Sequence, residues 1–265
     1  MSDNQERRIR VASIQMGMDD GGKASNIQRA ASLIDGVDGA DLILLPEIWN
    51  VGYFAFDDYS AESESLSGPT VSMLCEKAAA KGVFLFGGSF VEEDGGAYYN
   101  TSVFIGREGE ILGTYRKIHL FGYQSEEARL LTRGQAPTVV DTELGKFGLS
   151  TCYDLRFPEL YRQMAVAGAE VFLVASAWPY PRLEAWLLLN RVRALENQVY
   201  LVSSNCTGAN RGKAFVGHST VADPWGTSRA AAGDGECVVR AELDLGAIPE
   251  IRTTFSAFKD RVLID

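Results

Sequence analysis

The stretch KFGLSTCYDLRFPELYRQMAVAGAEVFLVASAW, residues 146–178, decides the fold class. KFGLST rises as a strand that ends at Cys152. Pro158 then suits the first turn of a helix running to Ala167, because the N–H it lacks is one that a helix start leaves unpaired anyway. The apolar run VFLVASAW follows as a strand buried on both faces. Strand, helix and strand in this order form the unit of an α/β domain.

Upstream the same alternation recurs. RIRVASIQM, from Arg8, has the β-branched pattern of a strand, and Ser25 to Val37 places Ile27, Ala30, Ala31 and Ile34 at helical spacing with Ser25 as N-cap. ADLILLPE, residues 40–47, reads as a buried strand stopped by a proline and a carboxylate. Pro69 opens a helix through Ala80 that Gly82 ends, before the strand VFLFGGSFVEE. YYNTSVFIG and ILGTYRKIHLF, joined by Arg107 to Gly109, suggest a hairpin within residues 97–119. A polar loop from Gly122 to Gln135 and a short strand, Thr138 to Thr142, complete the upstream part. Downstream, Arg182 to Asn197 is the longest helical stretch, followed by the strand YLVSSN and β-like runs around GHSTVADPWG and ECVVRAELD. The hairpin and the β-rich end predict mixed rather than purely parallel pairing. With no linker-like run, repeat or low-complexity segment, residues 8–265 are expected to form one domain behind a polar, frayed extension at 1–7.

Composition narrows the function. The 265 residues carry 35 acidic and 25 basic side chains, a formal net charge of -10, so the surface repels phosphate backbones and anionic headgroups, and no nucleic-acid partner is expected. The N-terminus MSDNQERRIR has no signal-peptide core and no apolar run approaches a membrane span, which predicts no membrane association and a cytoplasmic location. Cysteines at 75, 152, 206 and 237 show neither a disulfide frame nor a CxxC pair, and two histidines, His119 and His218, are too few for a His-rich metal site; no metal or cofactor is expected.

Strand ends are where open α/β sheets put their chemistry. Cys152 sits at a strand-to-helix turn that would expose its sulfur, although a free cysteine is most often a small buried hydrophobe. Glu47 finishes an apolar strand, where a solvated strand end is the ordinary alternative. Lys117 lies within YRKIHLF, where an edge-strand lysine can also serve against aggregation. Together they supply a thiol, a carboxylate to take its proton and an ammonium to lower the thiol pKa and stabilise an oxyanion, which is what amide chemistry needs.

The motifs LLPE at 44–47, YRKIHLF at 115–121 and CYDLRFPEL at 152–160 resemble those of the nitrilase, or carbon-nitrogen hydrolase, superfamily. SAWPYPRLEAWLLLNRVRALENQVYLVSSNCTG at 176–208, NTS at 100–102 and GHS at 217–219 also fit, so the resemblance covers about residues 8–245. It implies an αββα four-layer sandwich, commonly paired into a homodimer or higher homo-oligomer, and a Glu47-Lys117-Cys152 catalytic set. Lys117 and the Tyr153 N–H would hold the oxyanion, and the E-to-G spacing of EARLLTRG assigns Glu127, not Glu126, as a second glutamate, both otherwise belonging to a solvated acidic loop. The implied reaction is hydrolysis of a small linear amide through a thioester with release of ammonia. Neither His119 nor His218 is then needed as base, and His119, two residues along a strand from Lys117, would share its face as a structural hydrogen-bonding residue.

Within the superfamily, CYDLRFPE with WPxPR resembles the ω-amidase branch, acting on ω-amides of dicarboxylic acids such as 2-oxoglutaramate. Arg156 would grip a substrate carboxylate or, equally, fix Glu159 or Asp154. Tyr53, Phe54 and Trp178 are candidates to line the pocket, and Arg182 is either a second anion contact or a surface residue of its helix. The alternatives are an N-carbamoyl-amine or -amino-acid hydrolase, an aliphatic amidase, a nitrilase, which the CYD in place of CWE disfavours, and a catalytically silent interaction protein. The ending RTTFSAFKDRVLID departs from the family's R-R-P-D-L-Y-like tail, which bears on assembly rather than chemistry.

Overall fold

The structure, a computed structural model, describes residues 7–262. Residues 1–6 of the expected extension and 263–265 of the expected domain lie outside the described residues. Arg7, assigned above to the frayed extension, is instead anchored: both guanidinium tips donate to Glu170 at 2.8 Å, and its carbonyl accepts from the Leu245 N–H at 2.8 Å.

In chain order the elements are β1 (Arg8–Gln15), β2 (Gly17–Met18), α1 (Lys23–Asp35), β3 (Leu42–Leu44), α2 (Tyr59–Glu62), α3 (Pro69–Lys81), β4 (Phe84–Asp94), β5 (Ala97–Ile105), β6 (Ile111–Arg116), α4 (Glu127–Leu130), β7 (Thr138–Thr142) and β8 (Gly145–Thr151). A 3-10 turn at Cys152–Arg156 leads into α5 (Pro158–Val166), β9 (Val171–Ser176), α6 (Leu183–Asn197), β10 (Tyr200–Asn205), β11 (Thr207–Asn210) and β12 (Lys213–Ala214). β13 (Thr220–Ala222), β14 (Ser228–Ala231), β15 (Cys237–Asp244) and α7 (Ala247–Thr254) follow.

Two six-stranded mixed sheets result, ordered β15-β1-β3-β4-β5-β6 and β14-β13-β10-β9-β8-β7, with β12-β11-β2 as a small third sheet. The large sheets face each other, β1 against β10, β4 against β9 and β5 against β8, while α1 and α3 cover one outer face and α5 and α6 the other. Period-two alternation sorts the residues between layers. Ile9, Val11, Leu42, Leu44, Phe84, Phe86 and Phe104 point to the second sheet, where Phe104 stacks on Phe147 at 5.3 Å. Ala12, Ile14, Ile43, Leu45 and Leu85 point to α1 and α3. Strands sandwiched this way must be apolar on both faces, which explains the continuous runs ADLILLPE and VFLVASAW.

Five expectations change. α1 starts at Lys23 after Gly22, whose φ of 81 suits a glycine, and Ser25 does not cap it. The second hairpin strand ends at Arg116 rather than continuing through YRKIHLF, because beyond Lys117, whose N–H still donates to the Asn100 carbonyl, the backbone N–H groups turn to side chains: Ile118 N–H donates to the Tyr115 hydroxyl (3.3 Å) and His119 N–H to Asp154 Oδ1 (3.1 Å). His119 therefore does not share a strand face with Lys117; its ring contacts Asp154 through Nδ1 at 2.7 Å and stacks on Phe157. The polar loop after Gly122 contains α4, and α7 adds a helix to the end read as β-rich.

Candidate active site

The site forms where strands of both sheets end. Glu47 follows β3 by three residues, Lys117 follows β6 directly, Glu127 opens α4, and Cys152 is the first residue beyond β8. Each leaves regular structure at a point of close packing. Gly88 at φ 66 lets β4 pass so near Pro46 that a Cβ there would lie 1.9 Å from the Pro46 carbonyl oxygen. Ile48 (φ 41) and Cys152 (φ 49) sit in the left-handed region, costly for residues with a Cβ and the kind of strain that gathers at functional turns.

Glu47, Lys117 and Glu127 are fully buried and share one hydrogen-bond network. The ammonium of Lys117 donates to Glu47 Oε1 at 2.7 Å and to Glu127 Oε1 and Oε2 at 2.9 and 3.0 Å. Asn100 Nδ2 donates to Glu47 Oε1 and Glu127 Oε1, 2.8 Å each. Glu47 Oε2 accepts from the Ala177 N–H at 2.9 Å, and Glu127 Oε2 from the Phe121 N–H at 2.7 Å and the Tyr53 hydroxyl at 3.1 Å. Glu126 lies outside, paired with Arg129 on the surface.

The electrostatics follow from burial and these partners. Burial, helped by the Glu127 charge, raises the Glu47 pKa against the pull of Lys117. Burial opposes the Lys117 ammonium, but Glu127 and Glu47 overcome it and raise that pKa, so the lysine stays charged. The Cys152 thiol is pushed well above its ordinary range by burial and then by the facing Glu47 carboxylate, its hydrogen-bond partner. The resting pair is a neutral thiol beside a carboxylate able to receive its proton.

The turn after Cys152 is pinned by Asp154, whose Oδ2 accepts from Tyr115 OH (2.7 Å) and the Thr151 N–H (2.9 Å) in a reciprocal cap with Thr151. Tyr153 is second in this turn, where a backbone N–H has no partner within the helix. Cys152 opens into a narrow recess, partly open to solvent, walled by Tyr53, Phe121, Tyr153, Trp178, Arg156 and Arg182. Arg156 lies 5.1 Å over the Trp178 ring, and Arg182 lies 5.4 and 5.7 Å over Phe121 and Tyr123. Among the described residues neither arginine forms an ion pair with a carboxylate, so Arg156 does not fix Glu159 or Asp154. Phe54 does not line this recess; it stacks on Phe215 at 5.5 Å.

Sequence reading assigned no role to Asn100, Ala177 or Phe121. The NTS motif was the one available pointer to Asn100; Ala177 contributes a backbone N–H, which no side-chain pattern announces.

A double-layered mixed sandwich with a buried glutamate, lysine and cysteine at its strand ends defines a class, and the chain belongs to it: residues 10–253 match the carbon-nitrogen hydrolase family. It is an enzyme of the amidase type. It is similar to the 2-oxoglutaramate amidase of Paenarthrobacter nicotinovorans, 37% identical over 96% of this chain and 90% of that one, and to the omega-amidase NIT2 of Homo sapiens, 36% identical over 90% of each. The crystal structure of Nit3 of Saccharomyces cerevisiae, a nitrilase-superfamily member, superposes with a TM-score of 0.88 at 34% identity, covering 96% of both chains. The αββα expectation is thus met, and the N-carbamoyl, nitrilase and non-catalytic alternatives are not favoured.

Proposed function

We propose that this amidase hydrolyses the ω-amide of a small dicarboxylic acid, with 2-oxoglutaramate as the first substrate to try, through a thioester on Cys152. In the proposed path Glu47 takes the thiol proton as sulfur attacks the amide carbon and the C=O pair moves onto oxygen. Lys117 and the Tyr153 N–H hold that oxyanion, the ammonium being freed for it as Glu47 becomes neutral. Collapse breaks the C–N bond, Glu47 returns its proton to nitrogen, and ammonia leaves. Water then attacks the thioester with Glu47 as base, the acid departs, and the proton returns to sulfur. Glu127 positions Lys117 throughout.

The observation that carries the substrate reading is the pair of guanidinium groups, Arg156 and Arg182, held on aromatic faces beside Cys152 with no carboxylate partner among the described residues. In a chain of net charge -10 such a pair suits a substrate that brings the carboxylate itself. Tyr53 and Trp178 would supply apolar wall. Ammonia release from 2-oxoglutaramate, compared with a neutral amide of equal length, tests this. Arg156→Ala is expected to raise KM for the acid at least tenfold with little effect on the neutral amide, and Cys152→Ala to abolish both activities; equal turnover of the two amides by the unaltered enzyme sinks the substrate reading.

Residues 8–262 are read as one catalytic domain, because strands from both ends of this range share the sheets. A second copy of the chain is the proposed partner. The outer side of α6 leaves Leu188 and Leu195 60% and 46% exposed, seven residues apart, with Trp225 and Phe255 exposed nearby.

A further inference from the structure

We infer that the Ser176 hydroxyl is the hydrogen-bond donor for the Cys152 sulfur in its thiolate form, which adds a residue to the reacting centre. The inference rests on the reading of Cys152 as nucleophile. β8 and β9 run parallel with Thr151 opposite Ala175, so the next step along both strands brings Cys152 beside Ser176. Ser176 cannot drift from this place: its carbonyl accepts from the Glu47 N–H at 3.3 Å and the Cys206 N–H at 3.0 Å.

Its hydroxyl is the anomaly. Ser13, Ser150, Ser203 and Ser204 are equally buried, and each donates to a backbone carbonyl, at 2.8, 3.0, 3.3 and 2.7 Å. Among the described residues Ser176 Oγ, fully buried, makes no hydrogen bond of ordinary geometry, and the interaction it does have is with the Cys152 sulfur. A buried hydroxyl left unpaired carries a desolvation cost that needs a reason. A partner that exists only part of the time supplies one. The resting sulfur is a thiol engaged with Glu47; once its proton has gone to Glu47, it becomes an anion with lone pairs to fill, next to that O–H.

Lys117 cannot do this work alone. An ammonium has three N–H donors, and all three are spent on Glu47 Oε1, Glu127 Oε1 and Glu127 Oε2. The N–H released when Glu47 is neutralised is the one assigned to the oxyanion. Ser176 thus favours the charged sulfur without favouring the resting thiol, and consistently its presence acts to lower the thiol pKa.

The test is the pH dependence of Cys152 alkylation by iodoacetamide, followed by mass of the Cys152 peptide, alongside kcat and KM for the amide. A bond to an ionised group predicts that Ser176→Ala moves the alkylation midpoint up by about one to two pH units and lowers kcat roughly 10- to 100-fold, with KM little changed. Ser176→Thr, which keeps the hydroxyl, is expected to restore the midpoint. Ser176→Gly replaces the alanine variant should that one fail to fold. A folded Ala or Gly variant with the midpoint unmoved overturns the inference while leaving the nucleophile in place. Ammonia release persisting in Cys152→Ala overturns the reading beneath it instead.

Discussion

Lys117 is surrounded by three acceptor oxygens of two carboxylates, all fully buried. Replacing it with methionine would leave two buried acids facing each other, and loss of one member of a buried ionic group costs about 3–5 kcal/mol. Lys117→Met is therefore expected to lower the unfolding midpoint in a thermal melt as well as to eliminate turnover, a double effect that separates it from Cys152→Ala. The same burial sets the pH profile. In the proposed path Glu47 must be a carboxylate to accept the thiol proton, and burial raises its pKa. As pH falls through that raised value the base is protonated, so kcat/KM should drop on an acid limb lying above the ordinary carboxylate range. Lys117 is raised as well, so it stays an ammonium and adds no fall on the alkaline side near neutrality. Titrating kcat/KM with an amide that does not itself ionise there checks both limbs, and a profile flat down to ordinary carboxylate pKa values contradicts the buried base. That Glu47, Lys117, Glu127 and Cys152 would gather in one place was legible in the sequence, because each sits in a short motif. Asn100 and Ser176 were not, because their importance lies in what they meet across strands distant in the chain.

The elements that could be read in advance are those with local punctuation. α3 runs from Pro69 to Lys81 and stops at Gly82 in the left-handed conformation, a start and stop written into three residues. The end of β6 could not be read that way, since it depends on Asp154, in the turn that follows β8 of the other sheet, accepting the His119 N–H. α4 escaped for a similar reason: four residues of helix have little propensity of their own, and Glu127 is held by Lys117, Asn100 and Tyr53. Strand ends also carry the site's precision. At Gly88 an added Cβ would collide with the Pro46 carbonyl at a backbone angle suited to glycine. Gly88→Ala is expected to destabilise the fold by more than about 1 kcal/mol and, by pushing the segment next to Glu47, to reduce kcat in the protein that remains folded. Circular dichroism melts with parallel rate measurements decide this; an unchanged kcat in a destabilised variant would show that the two strands yield elsewhere.

Across the whole molecule the two large sheets share one pattern of pairing. Counted from β15 in one and β7 in the other, neighbours run antiparallel, parallel, parallel, antiparallel, antiparallel in both. The segment that follows β3 meets the end of β9: the Glu47 N–H donates to the Ser176 carbonyl, and the Glu47 carboxylate takes the Ala177 N–H. Sequence motifs announced the sandwich through a family likeness, whereas periodicity alone suggested only mixed pairing, because nothing local says which strands will face each other. The outward side of α6 bears on assembly. Charges at Leu188 and Leu195 would burden a buried contact but not a solvated face, so the double variant Leu188→Glu, Leu195→Glu is expected to shift native mass spectra from oligomer to monomer while Cys152 alkylates normally. A last consequence concerns synthesis. β1 pairs along its full length with β15, Arg8 opposite Asp244 and Gln15 opposite Cys237. On a ribosome β1 and its other neighbour, β3, therefore emerge long before β15 exists, and that edge of the first sheet stays open until β15 has been made. Until then the nascent chain carries an unpaired strand edge of eight residues, which the arrival of β15 removes.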